Sequence, residues 1–182
     1  MDLDERYGEC LQFQRDASPV ELSAMPRSLQ VLTEETAPAL KSLIDAASSQ
    51  PLAEVVYATS PILWLVDEAG NIRFAMEEVL NRETGNLHFI LPRNGPPLRP
   101  FEARLGHPSL LEPGNPETKV ARIGGELFYA PIRGRSPWVL SNNSGRYGKR
   151  PHIRREHLEN VNEVFAGFGI SLRTFFVYTP DE

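Results

Sequence analysis

Proline placement limits what this chain can fold into more than any other feature. Sixteen prolines are spread through 182 residues, and seven of them crowd residues 92–118, together with Gly95, Gly106 and Gly114. Proline lacks an amide donor and clashes with the preceding helical turn, so long helices and central strands are excluded wherever it recurs. The chain therefore reads as many short elements, and 92–118 as a long loop of the mobile or functional kind.

Between the prolines, local signals define the elements. Ser18-Pro19-Val20-Glu21 has capping-box spacing with proline at the first helical position, which predicts a short helix near 19–24. Thr33-Glu34-Glu35-Thr36 opens a second helix with Leu40, Leu43, Ile44 and Ala47 on its apolar face, closed by Ser48-Ser49-Gln50-Pro51. Ile62–Val66 reads as a buried strand, Asp67–Asn71 as a turn and Ile72–Met76 as the hairpin partner; Leu87–Leu91 is a further strand. Strands at about 119–123, 126–131 and 138–141 follow, separated by turns at Gly124-Gly125 and Arg133-Gly134-Arg135. A helix at about 154–167 aligns Leu158, Val161, Phe165 and Phe168, and a last strand covers 170–178. The expected fold class is α+β, a mainly antiparallel twisted sheet with N-terminal helices and one C-terminal helix before the last strand.

At 41% hydrophobic and 24% charged residues the chain has the composition of one globular domain, 1–182. Residues 1–52 form its helical, acidic N-terminal segment and 53–182 its sheet-rich core. The single cysteine, Cys10, excludes an intrachain disulfide, and four scattered histidines predict no metal centre. No phosphate loop or dinucleotide fingerprint names a cofactor. The longest apolar run, Ile62–Val66, is too short to span a bilayer, and the acidic start carries no cleavable signal. A cytoplasmic location is expected, with signal-independent export left open.

Charge is asymmetric. Residues 1–60 carry a balance of −6 and residues 133–182 a balance of +3, with seven Lys/Arg and no acid between Arg133 and Arg155. Such a run makes a local positive field that fits an anion or an acidic partner. Overall acidity and the lack of stacking aromatics there argue against nucleic acid. The same asymmetry suggests that the acidic N-terminal segment covers a basic C-terminal face, so that removing residues 1–30 would strengthen anion binding.

Within that basic stretch, Asn142-Asn143-Ser144-Gly145-Arg146-Tyr147 joins a strand to a helix. Asn and Ser bond turn backbone, and Gly145 permits φ > 0, so the run is complete as a structural corner. With its turn amides beside Asn143, Ser144, Arg146, Lys149 and Arg150, it also has the makings of an anion cradle. His107 and Glu126 form a possible acid–base pair, with Ser109 as a hydrogen-bonding neighbour, if the 92–118 loop folds over the Glu126 strand. Glu34-Glu35 and Glu77-Glu78 are adjacent pairs whose side chains diverge, which makes them poor paired acids.

The run from Trp138 to Tyr147, followed by a proline, a Leu-bearing helix and a Gly-Ile strand, resembles a module in C-terminal regions of bacterial polymorphic toxins. It is also similar to a stretch of plant IQ-motif calmodulin-binding proteins. Those sequences carry Asn-x-Ser-Gly-His-Tyr-x-Pro, with a His-x-Ser segment and an Ala-Gly-Glu-Leu strand upstream. Here Gly106-His107-Pro108-Ser109-Leu110-Leu111 and Gly124-Gly125-Glu126-Leu127 stand in the matching order. Arg146 replaces the usual His, and the proline comes later, at Pro151. The resemblance implies a neighbourhood, effector and toxin systems, and no particular reaction. The first reading of the residues themselves is an effector- or toxin-like domain, a group transferase acting on a nucleotide-type or other anionic substrate. Arg146, Lys149 and Arg150 would hold phosphate, and His107 or Glu126 would work on the reacting group. The alternative is a non-catalytic immunity or adaptor protein whose basic face docks a cognate toxin, immunity or target protein.

Overall fold

The structure, a computed structural model, describes residues 2–179; Met1 and residues 180–182 lie outside it. The chain begins with α1 (Leu3–Tyr7), β1 (Leu11–Gln12), α2 (Pro19–Ser23), β2 (Gln30–Val31), α3 (Ala37–Ser49) and α4 (Pro51–Tyr57). The sheet region follows as β3 (Ile62–Val66), β4 (Ile72–Met76), β5 (Glu78–Asn81), β6 (Leu87–Ile90) and β7 (Glu102–Leu105). After a 3-10 turn at His107–Leu110 come β8 (Val120–Ala121), β9 (Ile123–Tyr129), β10 (Trp138–Ser141), α5 (Arg155–Gly167) and β11 (Arg173–Phe175).

The main sheet has the order β11-β10-β9-β3-β4-β2, antiparallel throughout except for the parallel β10–β11 pair that α5 connects. A second sheet, β6-β5-β7, is antiparallel, and β1 pairs with β8. The fold is thus α+β with a mainly antiparallel sheet and one helix before the last strand, as the sequence predicts.

Period-two alternation sets the layers. Trp64, Val66, Ile72, Phe74, Ile123, Leu127, Trp138 and Leu140 face one way and bury against α3 and α5. Trp138 also donates its indole N–H to Ile44 O at 3.2 Å, fastening α3 to the sheet. Leu63, Leu65 and Ala75 face the opposite way, under Leu110, Leu111 and Tyr147. β3 is buried on both sides, which is why it reads as a continuous apolar run. On the second face the described residues supply short covering pieces, the His107–Leu110 turn and the segment carrying Tyr147.

Four local expectations change. Pro51 closes α3 and also opens α4, where it occupies the first helical turn at no hydrogen-bond cost. The 92–118 loop contains β7 and the His107–Leu110 turn, so its end is ordered by the small sheet. The last strand shortens to Arg173–Phe175, because past it the chain bonds the Asn142 side chain instead of β10.

The fourth concerns Gly124-Gly125, which are not a turn: β9 runs straight through them. A Cβ on Gly125 would lie 1.7 Å from Ser141 O, and one on Gly124 would lie 3.2 Å from Tyr147 Cβ. Backbone packs directly on backbone here, which only glycine allows.

Candidate active site

The Asn142–Gly148 corner folds down onto those glycines. A Cβ on Gly148 would lie 2.0 Å from Asn142 O and 2.2 Å from Gly124 O, so the corner is as tight as the strand beneath it. Asn142 holds the chain end, donating from Nδ2 to Gly148 O and Val177 O and accepting from Val177 N at 2.7 Å. Tyr147, fully buried, donates its hydroxyl to Lys119 O at 2.9 Å.

Ser144 Oγ accepts from the amides of Arg146 and Tyr147 at 3.3 and 3.2 Å. Those amides are therefore satisfied internally and cannot cradle an anion, contrary to the expectation drawn from the turn chemistry. Gly145 is also not in the left-handed region; its missing Cβ makes room for the Arg15 guanidinium, 3.1 Å from where that carbon would be.

Two side chains of the corner do face outward into a cleft. Glu126 rises from the open face of β9 beside Leu63, and Asn143 Nδ2 donates to its Oε2 at 3.2 Å. The cleft, about 410 Å³, is lined by Glu126, Asn143 and Arg146 together with His107, Glu21, Glu77 and Arg104. Five of the residues singled out from separate stretches of sequence, His107, Glu126, Asn143, Ser144 and Arg146, thus line one concave site. Glu77 lies just beyond β4, with Arg104 of β7 at 3.6 Å. Arg146 reaches Glu21 of α2 at 3.4 Å.

Burial governs the electrostatics. It pushes the Glu77 carboxyl up to about 7, against the pull of Arg104 and with the help of Glu126 and Glu21. Burial also raises Glu126, despite the Asn143 hydrogen bond and the charges of Arg93 and Lys149. His107 moves the other way. Burial holds it down at about 4, neutral at physiological pH, and its Nε2 is 2.9 Å from Gly125 O. A neutral ring meeting a carbonyl must donate from Nε2, so His107 braces the Glu126 strand. The Glu77 carboxyl, holding its proton near neutrality, is suited to proton transfer, and burial tilts Glu126 in the same direction.

The remaining expected residues divide by burial. Ser109 is fully buried and donates to Glu21 O at 3.4 Å, a role in the interior. Arg150, 2% exposed, donates to Ala121 O at 3.0 Å and to Leu11 O and Gln12 O, so its charge clamps backbone and does not face the cleft. Lys149 donates to Asn143 Oδ1 at 3.3 Å, behind Glu126. The basic run is therefore no single face. Arg133 and Arg135 sit exposed at the β9–β10 tip, Arg146 lines the cleft, Arg150 is buried among backbone carbonyls, and Lys149, Arg154 and Arg155 border a separate hollow beside α5.

Glu77, Arg104 and Glu21 are the site residues that sequence reasoning missed. A signal did exist for Glu77, because the second acid of its pair does diverge: Glu78 is buried and accepts the amides of Arg27 and Ser28. One acid caps a loop and its neighbour is delivered to the cleft.

Among the described residues no helix is long and apolar enough to cross a membrane, and no group of three or more His, Cys, Asp or Glu side chains could hold a metal ion. Comparison with protein-family models, curated proteins and solved structures found no match.

Proposed function

We propose that this chain is an effector- or toxin-like enzyme domain, a group transferase whose anionic, nucleotide-type substrate binds in the cleft above β9. The observation that carries this reading is the meeting of His107, Glu126, Asn143 and Arg146 in one cleft with Glu77 and Arg104. Glu126 and Glu77 exchange the proton, Asn143 fixes the Glu126 carboxylate, and Arg146 and Arg104 hold the anionic group. Arg146 stands where related sequences place His; a permanently charged guanidinium binds an anion and cannot shuttle a proton. The resemblance of Trp138–Tyr147 to toxin modules supplies the biological setting. The adaptor alternative needs one continuous basic face, and the basic residues are instead split between a hairpin tip, the cleft, the interior and the start of α5.

Growth of bacteria expressing the chain tests the proposal. Wild type is expected to slow growth, and Glu126→Ala and Arg146→Ala, checked for folding by circular dichroism, to relieve it. Equal growth of all three strains at equal protein level would remove the enzyme reading.

A further inference from the structure

The cleft does not end at Glu77 and Glu126. A second lobe of about 580 Å³ opens on their other side, and the two lobes share Glu77, Arg104, Glu126 and Asn143. Both volumes lie within the range of small-molecule pockets, roughly 300–1,000 Å³. The lobes differ in character. The outer one sets the rings of Pro61, Pro92, Pro96 and Pro97 among polar side chains, Glu77, Arg93, Arg104 and Glu126 included, and its Arg93 lies over the Phe128 ring at 4.3 Å. The inner one carries Arg15, Arg104 and Arg146. Arg15 is exposed and makes no side-chain hydrogen bond or ion pair among the described residues, and Arg146, whose Nη2 meets Glu21, has its Nη1 buried without a partner.

A backbone observation links the lobes independently of their side chains. Arg15 (φ 70°) and Asn94 (φ 57°) are the two non-glycine residues with left-handed backbone among the described residues. Arg15 lines the inner lobe and Asn94 the outer. Sparsely populated backbone of this kind concentrates at ligand clamps, where the surrounding structure holds it in place.

We propose that the two lobes form one site for a nucleotide, its phosphate held by Arg15, Arg104 and Arg146 and its base against the Pro92–Leu98 wall, with the sugar between Glu77 and Glu126. This rests on the anionic-substrate reading above and names its ligand. Arginine forks match phosphate oxygens, and proline walls accept a flat ring without losing side-chain freedom. The placement has a pH signature. Glu77 faces Arg104 from β7, Glu126 from β9 and Glu21 from α2, with Arg15, Asp16, Arg146 and the neutral His107 lining the same lobe. A phosphate dianion arriving there favours the protonated Glu77 carboxyl, so binding takes up a proton and weakens as pH rises above 7.

Titration calorimetry on the full chain with AMP, adenosine and ribose 5-phosphate at pH 6.5 and 8 decides it. AMP is expected to bind at least ~10-fold tighter than either half, because the linked parts share one binding event. Raising the pH to 8 should weaken AMP by about threefold or more, and Glu77→Gln should remove that weakening, leaving the slight opposite trend set by the phosphate's own second ionisation at about 6. Arg15→Ala removes a side chain that holds nothing else, so it leaves folding intact. It should weaken AMP and ribose 5-phosphate while sparing adenosine. No AMP binding, or AMP no tighter than ribose 5-phosphate, would overturn the two-lobed nucleotide site. Growth inhibition that still depends on Glu126 would in that case leave the enzyme reading standing.

Discussion

Glu77 and His107 sit in one cleft and are pushed in opposite directions by the same burial, which makes their pH behaviour a test of the site. The Glu77 carboxyl, raised to about 7 in the folded chain, binds more protons folded than unfolded between its ordinary value and 7. Its contribution to stability is therefore present at low pH and lost as pH rises through 7. His107, lowered to about 4, binds fewer protons folded, so its contribution is present above its ordinary value and lost as pH falls toward 4. Across the shared range the two slopes offset. Glu77→Gln should raise stability at pH 8 by on the order of 1–3 kcal/mol, since about 1.4 kcal/mol accompanies each pKa unit. Its contact with the half-exposed Arg104 guanidinium offsets little of that. At pH 4 the substitution should be nearly neutral. Urea unfolding at the two pH values measures both; equal gains at pH 4 and 8 would mean that ionised Glu77 is not penalised by burial. A gain in stability joined to loss of growth inhibition is the trade expected of a carboxyl kept for chemistry.

At the scale of elements, what could be read in advance follows from how local each cause is. The Ser18–Glu21 capping box, with both reciprocal hydrogen bonds formed, and the β3–β4 hairpin depend on a few neighbouring residues and were legible. So were α5 and the apolar spacing that buries Leu158, Val161 and Phe165. Gly124-Gly125 misled because two glycines mark a turn in any local reading, while their actual cause is a corner that lies almost twenty residues downstream in sequence and directly above in space. The site was half legible for the same reason. His107, Glu126, Asn143 and Arg146 belong to recognisable runs, whereas Glu77, Arg104 and Glu21 acquire meaning only when the small sheet and α2 close on the main sheet. A glycine pair of variants separates these causes. Gly125→Ala places a methyl against the Ser141 carbonyl and should cost on the order of 3 kcal/mol by forcing β9 from β10. Gly167→Ala, with open space around it at the end of α5, should gain up to about 1 kcal/mol from helix propensity. Urea midpoints that move the same way in both would show that β9 tolerates the methyl by shifting.

At the scale of the whole molecule, the acidic N-terminal segment does lie against the basic C-terminal region, but as part of the fold and not as a removable cover. Arg122 pairs with Asp4 and donates to Gly8 O. Arg150 bonds Leu11 O and Gln12 O, Arg146 meets Glu21, and Asn160 Nδ2 donates to Arg6 O at 2.8 Å. Tyr7, 3% exposed, belongs to the main core. Removing residues 1–30 would strip these partners from guanidinium groups that are already buried, and each buried donor left unsatisfied costs roughly 1–3 kcal/mol. Three such groups together approach the 5–15 kcal/mol that typically separates folded from unfolded chains. The expected result is loss of the fold, seen as collapsed amide dispersion in a proton–nitrogen NMR spectrum, in place of the stronger anion binding that charge asymmetry alone suggests. A truncated chain that keeps its dispersion and binds inorganic phosphate more tightly would show that the segment is a cover after all. Of these contacts only Arg146–Glu21 joins an acid of the N-terminal segment to a base of the C-terminal region, the others being carbonyl bonds or the Asp4–Arg122 pair. The cleft inherits its inner wall, Glu21 and Arg15, from that union.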